Sequence, residues 1–175
     1  MRKILAINGS ASENSSNRRL IDIFVSLTKD FFDVTIIDNL KTLPHFDPER
    51  SLSNTPEVVS DFRKSIEQAD GILICTPEYV FSIPSGLKNA IEWCVSTTVF
   101  SGKATGLITA SANGEKGHVE LQLIMETLMA TFNPETALLI EGIKGKIDEQ
   151  NTIADVKTKN SLMAFIDAFR SLTLS

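Results

Sequence analysis

Hydroxyl and amide side chains crowd the stretch Asn8-Gly9-Ser10-Ala11-Ser12-Glu13-Asn14-Ser15-Ser16-Asn17. Ser10, Ser12, Ser15 and Ser16 carry hydroxyls, and Asn14 and Asn17 carry amides. The stretch runs straight into a helical pattern. These groups therefore lie beside backbone N–H groups that lack intrahelical partners, at the positive end of the helix dipole. Such a loop can hold a phosphate group with neutral donors and no lysine or arginine. It can also be a solvated turn in which Ser15 or Ser16 caps the helix. The Gly-Lys-Ser/Thr of a Walker loop is absent, and so are two of the three glycines of a dinucleotide fingerprint. Its place after the first strand of an alternating chain favours the phosphate.

A second concentration of chemistry is Thr76-Pro77-Glu78-Tyr79-Val80-Phe81-Ser82-Ile83-Pro84-Ser85. Pro77 ends a strand and frees the following residues from ladder pairing. Backbone amides there can read the edge of a flat heterocycle, with Tyr79 or Phe81 packed near its plane. The alternative is that both aromatics simply cover the core. Other reactive residues are few. His45 lies in a Pro-flanked loop and His118 near a later one, without the Gly-x-Ser-x-Gly elbow of a hydrolase. Asn8 and Gly9 stand where a phosphoacceptor regulator needs a carboxylate pair. Cys75 and Cys94 sit in apolar surroundings without metal-ligand spacing, as expected of buried thiols in a reducing cytoplasm.

The elements that must position these loops follow from the hydrophobic pattern. Lys3 to Ile7, Val34 to Ile37, Gly71 to Cys75, Ala104 to Ala110 and Thr136 to Ile140 are short apolar runs, read as strands. Helices are expected from Ser16, from Pro56 with Thr55 as cap, from Pro84 and Ser85, over Val119 to Phe132, and around Leu162 to Phe169. Strand and helix alternate, and the strands read as buried on both faces. That combination requires a doubly wound α/β fold: a five-stranded parallel sheet with helices on both faces. Ligands in such sheets bind beyond the carboxyl ends of the strands, where strand order reverses.

Taken together, the Gly-Ser…Ser-x-Asn loop and the segment Thr76-Pro77-Glu78-Tyr79…Ser82-Ile83-Pro84…Leu87-Lys88-Asn89-Ala90-Ile91-Glu92-Trp93 resemble the NADPH-dependent FMN reductase family of flavodoxin-like proteins. The resemblance spans essentially the whole chain. It implies a flavodoxin-like fold, bound FMN, and NADPH or NADH as reductant for a quinone, an azo compound, a metal oxyanion or free flavin. By the same resemblance Ser10, Ser12, Ser15, Ser16 and Asn17 hold the FMN phosphate and ribityl chain. Pro77, Glu78, Tyr79 and Val80 border the ring, and Ser111 through Gly114 close the third side. The cofactor then carries the chemistry, and no catalytic side chain is required. Three positions depart from the family pattern: Ser12 replaces its usual arginine, Val80 its usual asparagine, and Ala112-Asn113-Gly114-Glu115-Lys116-Gly117-His118 its glycine-rich fourth loop. A flavodoxin-type electron carrier and a flavin-binding module without turnover are the competing readings.

Composition supports one domain, residues 1–175. Hydrophobic residues make up 42% and charged residues 22%, an ordinary globular balance. The net charge of −5 and the absence of a basic run argue against nucleic acid as partner. No apolar run approaches the roughly 20 residues of a membrane span, so no membrane insertion is expected. Two helices show surplus apolar faces. Trp93 points about 200° from Ile91 and is expected to face outward, and Val119 and Leu123 oppose the Leu121-Met125 stripe. A homodimer, or a dimer of dimers, through these two helices is expected to bury them, and the resembled family pairs in this way.

Overall fold

A computed structural model describes all residues, 1–175. Five strands, β1 (Arg2–Asn8), β2 (Phe32–Ile37), β3 (Gly71–Thr76), β4 (Ala104–Ser111) and β5 (Ala137–Glu141), form one sheet in the order β2-β1-β3-β4-β5. Every pairing is parallel. Six α-helices accompany them: α1 (Ser16–Thr28), α2 (Pro48–Leu52), α3 (Glu57–Gln68), α4 (Ser85–Glu92), α5 (Glu115–Thr127) and α6 (Val156–Leu172). The period-two alternation of the strands sorts their side chains into two cores. Leu5, Ile7, Ile72, Ile74 and Leu107 face one way, onto Val59, Phe62 and Ile66 of α3, Leu87 and Ile91 of α4, and Leu121 and Met125 of α5. Ile4, Ala6, Leu73, Cys75, Ile108 and Ala110 face the other way, onto Leu20 and Phe24 of α1 and Leu162, Phe165 and Phe169 of α6. The expected doubly wound, flavodoxin-like sheet is therefore the one observed. Chain order reverses beside β1, which opens a crevice between the loops after β1 and β3.

Close packing holds that crevice narrow. Gly9 continues β1 and donates to the Cys75 carbonyl at 2.9 Å. A β-carbon at Gly9 would meet Thr76 Oγ1 at 2.5 Å and Leu87 Cδ2 at 2.9 Å, so only glycine fits between the strand ends and α4. No helix is long and apolar enough to cross a membrane. Cys75 and Cys94 are both free and buried. Burial raises the pKa of each, that of Cys94 to about 12, so neither is a thiolate near neutrality.

Several expectations change. The helix expected over Val119–Phe132 spans Glu115–Thr127 instead. Its start is set by Gly114, with φ +100°, and by the Glu78 carboxylate, which accepts from the Gly117 N–H at 2.7 Å. Thr55 does not cap α3, which begins after Pro56 without a side-chain cap. The loop after β2 contains α2, whose N-cap Asp47 accepts from the Glu49 and Arg50 N–H groups. Trp93 does not face outward: it is 0% exposed. The helix ends at Glu92, and the loop after β2 folds back over it. Trp93 Nε1 donates to the Pro44 carbonyl at 2.7 Å, and its ring meets Phe46 edge-on at 5.4 Å. Arg63 also donates to the Trp93 carbonyl. Of the apolar stripe Leu87, Ala90, Ile91, Cys94 and Val95 that helical spacing sets toward the sheet, all but Val95 are buried, and Val95 is exposed.

Candidate functional site

At the carboxyl edge of the sheet a cavity of about 490 Å³ opens between four loops. The loop after β1 supplies Ser10, Ser12, Asn14, Ser15, Ser16 and Asn17, and the loop after β3 supplies Pro77 and Tyr79. The end of β4 supplies Ala110, Ser111 and Ala112, and the turn after β5 supplies Gly142, Ile143 and Lys144. The volume lies within the ~300–1,000 Å³ of small-molecule sites. Eight of the eleven residues singled out in the sequence are thus brought together, and Glu78, Val80 and Gly114 are not among the lining residues.

The first loop is fixed by its own polar groups. Asn8 Oδ1 accepts from the Ser10 N–H at 3.0 Å, and Ser10 Oγ accepts from the Ser12 N–H at 3.2 Å. Ser15 is the N-cap of α1: its hydroxyl accepts from the Arg18 N–H at 3.1 Å and its carbonyl from the Arg19 N–H. The N–H groups of Ser16 and Asn17 in the first turn have no intrahelical partner, so cap and anion cradle coexist. The Asn17 side chain turns inward at 3% exposure. Its amide donates to the Ala110 carbonyl at 3.1 Å and its oxygen lies 3.3 Å from Cys75 Sγ. The amide therefore ties α1 to β3 and β4, and the part of Asn17 left for a ligand is its backbone N–H.

Tyr79 stands across the crevice, its hydroxyl 3.3 Å from Ser10 Oγ. On its other side a second cavity of about 510 Å³ is bounded by Ser12, Asp38, Lys41 and the start of α4 at Ser85 and Gly86. Val80 and Phe81 form a two-residue turn closed by Tyr79 N–H to Ser82 O (2.9 Å) and Ser82 N–H to Tyr79 O (3.1 Å). Both have positive φ, 53° and 59°, the type I′ pattern that normally selects Asn-Gly. Val80 is 94% exposed at the tip, so it does not border the cavity. Glu78 points to α5 instead, and Glu120 of α5 accepts from the Ser82 hydroxyl at 2.6 Å and the Ile83 N–H at 2.9 Å. Ser111 lines the cavity, with its hydroxyl 3.5 Å from the Glu78 carbonyl. Gly114 serves the turn: a β-carbon there would meet Leu139 at 3.0 Å.

Charged groups near the loop are mostly committed to one another. Asp38, at the end of β2, accepts from Asn8 Nδ2 and from Arg18, which also pairs with Asp22. Burial works against the Arg18 charge, but the hydrogen bonds to Asp38 and Asp22 outweigh it and raise its pKa. His118 lies behind the β4 edge with Nδ1 2.9 Å from Thr109 Oγ1, and burial lowers its pKa. The turn carrying Gly142 and Lys144 is the part of the wall that motif reading missed. A glycine-flanked lysine about 130 residues from the first loop carries no local signal, and only the strand order could have brought it near.

The donor set suits FMN. Hydroxyls and free N–H groups of the loop after β1, which suit a phosphate and polyol, line one cavity with the Pro77-Tyr79 and Ser111-Ala112 walls, which suit a flat ring. Over residues 2–143 the sequence matches the family model of the NADPH-dependent FMN reductases. A potato (Solanum tuberosum) NAD(P)H:quinone oxidoreductase is 32% identical over 98% of this chain and 93% of its own length. A 2-hydroxy-1,4-benzoquinone reductase from a Burkholderia species is 29% identical over 95% of this chain and 93% of its own. Among solved structures, the Paracoccus denitrificans flavoenzyme FerB, an NAD(P)H:(acceptor) oxidoreductase, superposes with a TM-score of 0.83 at 22% identity. That match covers 99% of this chain and 98% of FerB. With a family match across most of the sequence and a relative sharing about a third of its residues from end to end, the chain belongs to the NADPH-dependent FMN reductase family.

Proposed function

We propose that this flavin-dependent NAD(P)H oxidoreductase reduces a quinone-class acceptor at FMN held between the loops after β1, β3, β4 and β5. The observation that carries the reading is the 490 Å³ cavity at the strand-order reversal, with serine hydroxyls and the first turn of α1 in its wall. Ser10, Ser12, Ser16 and the backbone of Asn17 bind the phosphate and ribityl end, while Ser15 holds the helix start in place. Pro77, Tyr79 and Ser111 shape the ring end, and Glu78 and Gly114 act one step back by fixing the turn into α5. Bound there, FMN supplies hydride acceptance from the nicotinamide and electron donation to the acceptor. Exposed Val80 and Phe81 beside Tyr79 offer an apolar approach for a flat acceptor. The quinone class is supported by the names of the potato and Burkholderia relatives.

The same reading places the protein in the reducing cytoplasm, supported by its two free, buried thiols. It also pairs two copies, but without Trp93. Among the apolar groups left exposed are Val119 and Leu123 of α5, at 65% and 62%. A twofold contact would bury such a patch.

Absorbance of the purified protein tests the cofactor, with flavin bands expected near about 370 and 450 nm, since the chromophore is the cofactor's own. Anaerobic oxidation of NADH or NADPH, with and without benzoquinone, then tests turnover. Protein that takes up no FMN overturns the site. Protein that binds FMN but leaves the nicotinamide unoxidised is a carrier and overturns the reaction.

A further inference from the structure

The loop after β1 brings hydroxyls and N–H groups but no cation to the cavity wall, and the structure shows where a cation for the phosphate could come from instead. The two arginines at the start of α1 are committed. Arg18 pairs with Asp22 and Asp38, and Arg19 donates to Asn151 Oδ1 and the Asp148 carbonyl. Lys41 bounds the neighbouring cavity, beyond Tyr79. Lys144 is the one basic residue lining the cofactor cavity, and its ammonium makes no hydrogen bond or ion pair with the protein. Its backbone, by contrast, is held firmly. The Gly142 N–H donates to the Ala112 carbonyl at 3.2 Å, and Gly142 has a φ of +62°. Ile143 is buried in the core beneath α1 and α6. The Arg19 contacts clamp the following loop, at Asp148 and Asn151, to α1.

We propose that Lys144 is the cation of the phosphate subsite, recognising the dianionic phosphomonoester of FMN and supplying the charge that the loop after β1 does not. A fixed backbone with a free ammonium is what a point-charge phosphate ligand needs, since lysine requires no planar fork geometry. In a chain of net charge −5, one unpaired lysine at the cavity wall also counters the repulsion a phosphate meets on approach. The role concerns charge, so it separates FMN from riboflavin, which has the same ring and polyol without the phosphate.

This inference rests on the cofactor reading above, and the experiment separates the two. FMN and riboflavin are each titrated by flavin fluorescence into the wild type, Lys144→Gln, Lys144→Arg, Lys146→Gln and the double variant Ser12→Arg/Lys144→Gln, at low and at moderate salt. Lys144→Gln should weaken FMN about fivefold at low salt, the scale of a single exposed charge pair, and flatten the salt dependence. Riboflavin should bind it as it binds the wild type. Lys144→Arg should bind as the wild type does, and the double variant should recover most of the loss. Lys146, on the same loop but outside the cavity, serves as the control, and its variant should leave FMN unchanged. If Lys144→Gln binds FMN like the wild type, or if Lys146→Gln loses as much, Lys144 has no such role. If the wild type itself takes up no FMN, it is the cofactor reading that falls.

Discussion

Replacing Asn17 with alanine distinguishes a fastening role from ligand contact. The side chain is 3% exposed, and the substitution removes its hydrogen bond to the Ala110 carbonyl and the Cys75 Sγ contact to its oxygen. A buried polar group stripped of its partner costs about 1–3 kcal/mol, and the Cys75 thiol contact is a weak one. A total near 2 kcal/mol is therefore expected. With an unfolding entropy of roughly 2.1 cal/mol/K per residue, 175 residues give about 0.37 kcal/mol/K, so Tm should fall by about 5 °C. Calorimetry of the protein without added flavin measures this, and an FMN titration well below the transition supplies the second reading. If the amide instead touched the phosphate, Tm would barely move while FMN weakened roughly tenfold or more, the scale of a hydrogen bond to a charged group. That pair of results would falsify the fastening role.

Three further outcomes are expected. Substituting Val80→Asn and Phe81→Gly together gives the type I′ turn its preferred residues and relieves two left-handed side chains, so stability should rise by about 2 kcal/mol and Tm by about 5 °C; an unchanged or lower Tm would mean the turn is unstrained. His118 has its pKa lowered from 6.5 by burial, so the unfolded chain takes up its proton first as pH drops below about 6.5 and stability falls until the folded pKa is reached. Denaturant midpoints between pH 7 and pH 5.5 should therefore decline more steeply for the wild type than for His118→Gln, and parallel declines would remove His118 from the account. Leu123→Glu should convert a sedimenting dimer to monomer without loss of bound flavin, whereas a wild type that is already monomeric ends the pairing proposal.

The strands were legible because a parallel sheet covered on both faces leaves short unbroken apolar runs, and all five appear within two residues of where those runs begin and end. The start of α5 was not, because Glu115 to His118 show no apolar period. What begins that helix is a left-handed glycine and a carboxylate from the loop after β3. Trp93 was misread for a related reason: a helical wheel knows the sheet side and the outer side, but not a loop that folds back onto the outer side and brings Pro44 and Phe46. Within the site, composition singled out the hydroxyl loop, and that loop lines the cavity. It could not say that the Asn17 amide points inward, since the same side chain serves a ligand or a neighbouring carbonyl equally well. Lys144 belongs to the wall only because β5 lies beside β4, which is a fact of topology with no local trace.

That the cavity wall draws on residues 10–17, 77–79, 110–112 and 142–144 has a consequence for how the protein is made. During synthesis the hydroxyl loop emerges first, but β1 must wait for β3, some 67 residues later, before its second edge is paired. The last wall arrives with the turn after β5, and α6 must then cover the face shared with α1. Pairings of such separation form slowly relative to local structure. A chain interrupted before residue 142 therefore carries the hydroxyl loop yet lacks a closed site, and flavin retention would report that the ribosome has delivered the final fifth and that it has docked. Fluorescence quenching of FMN by stalled chains of increasing length would place that moment on the sequence.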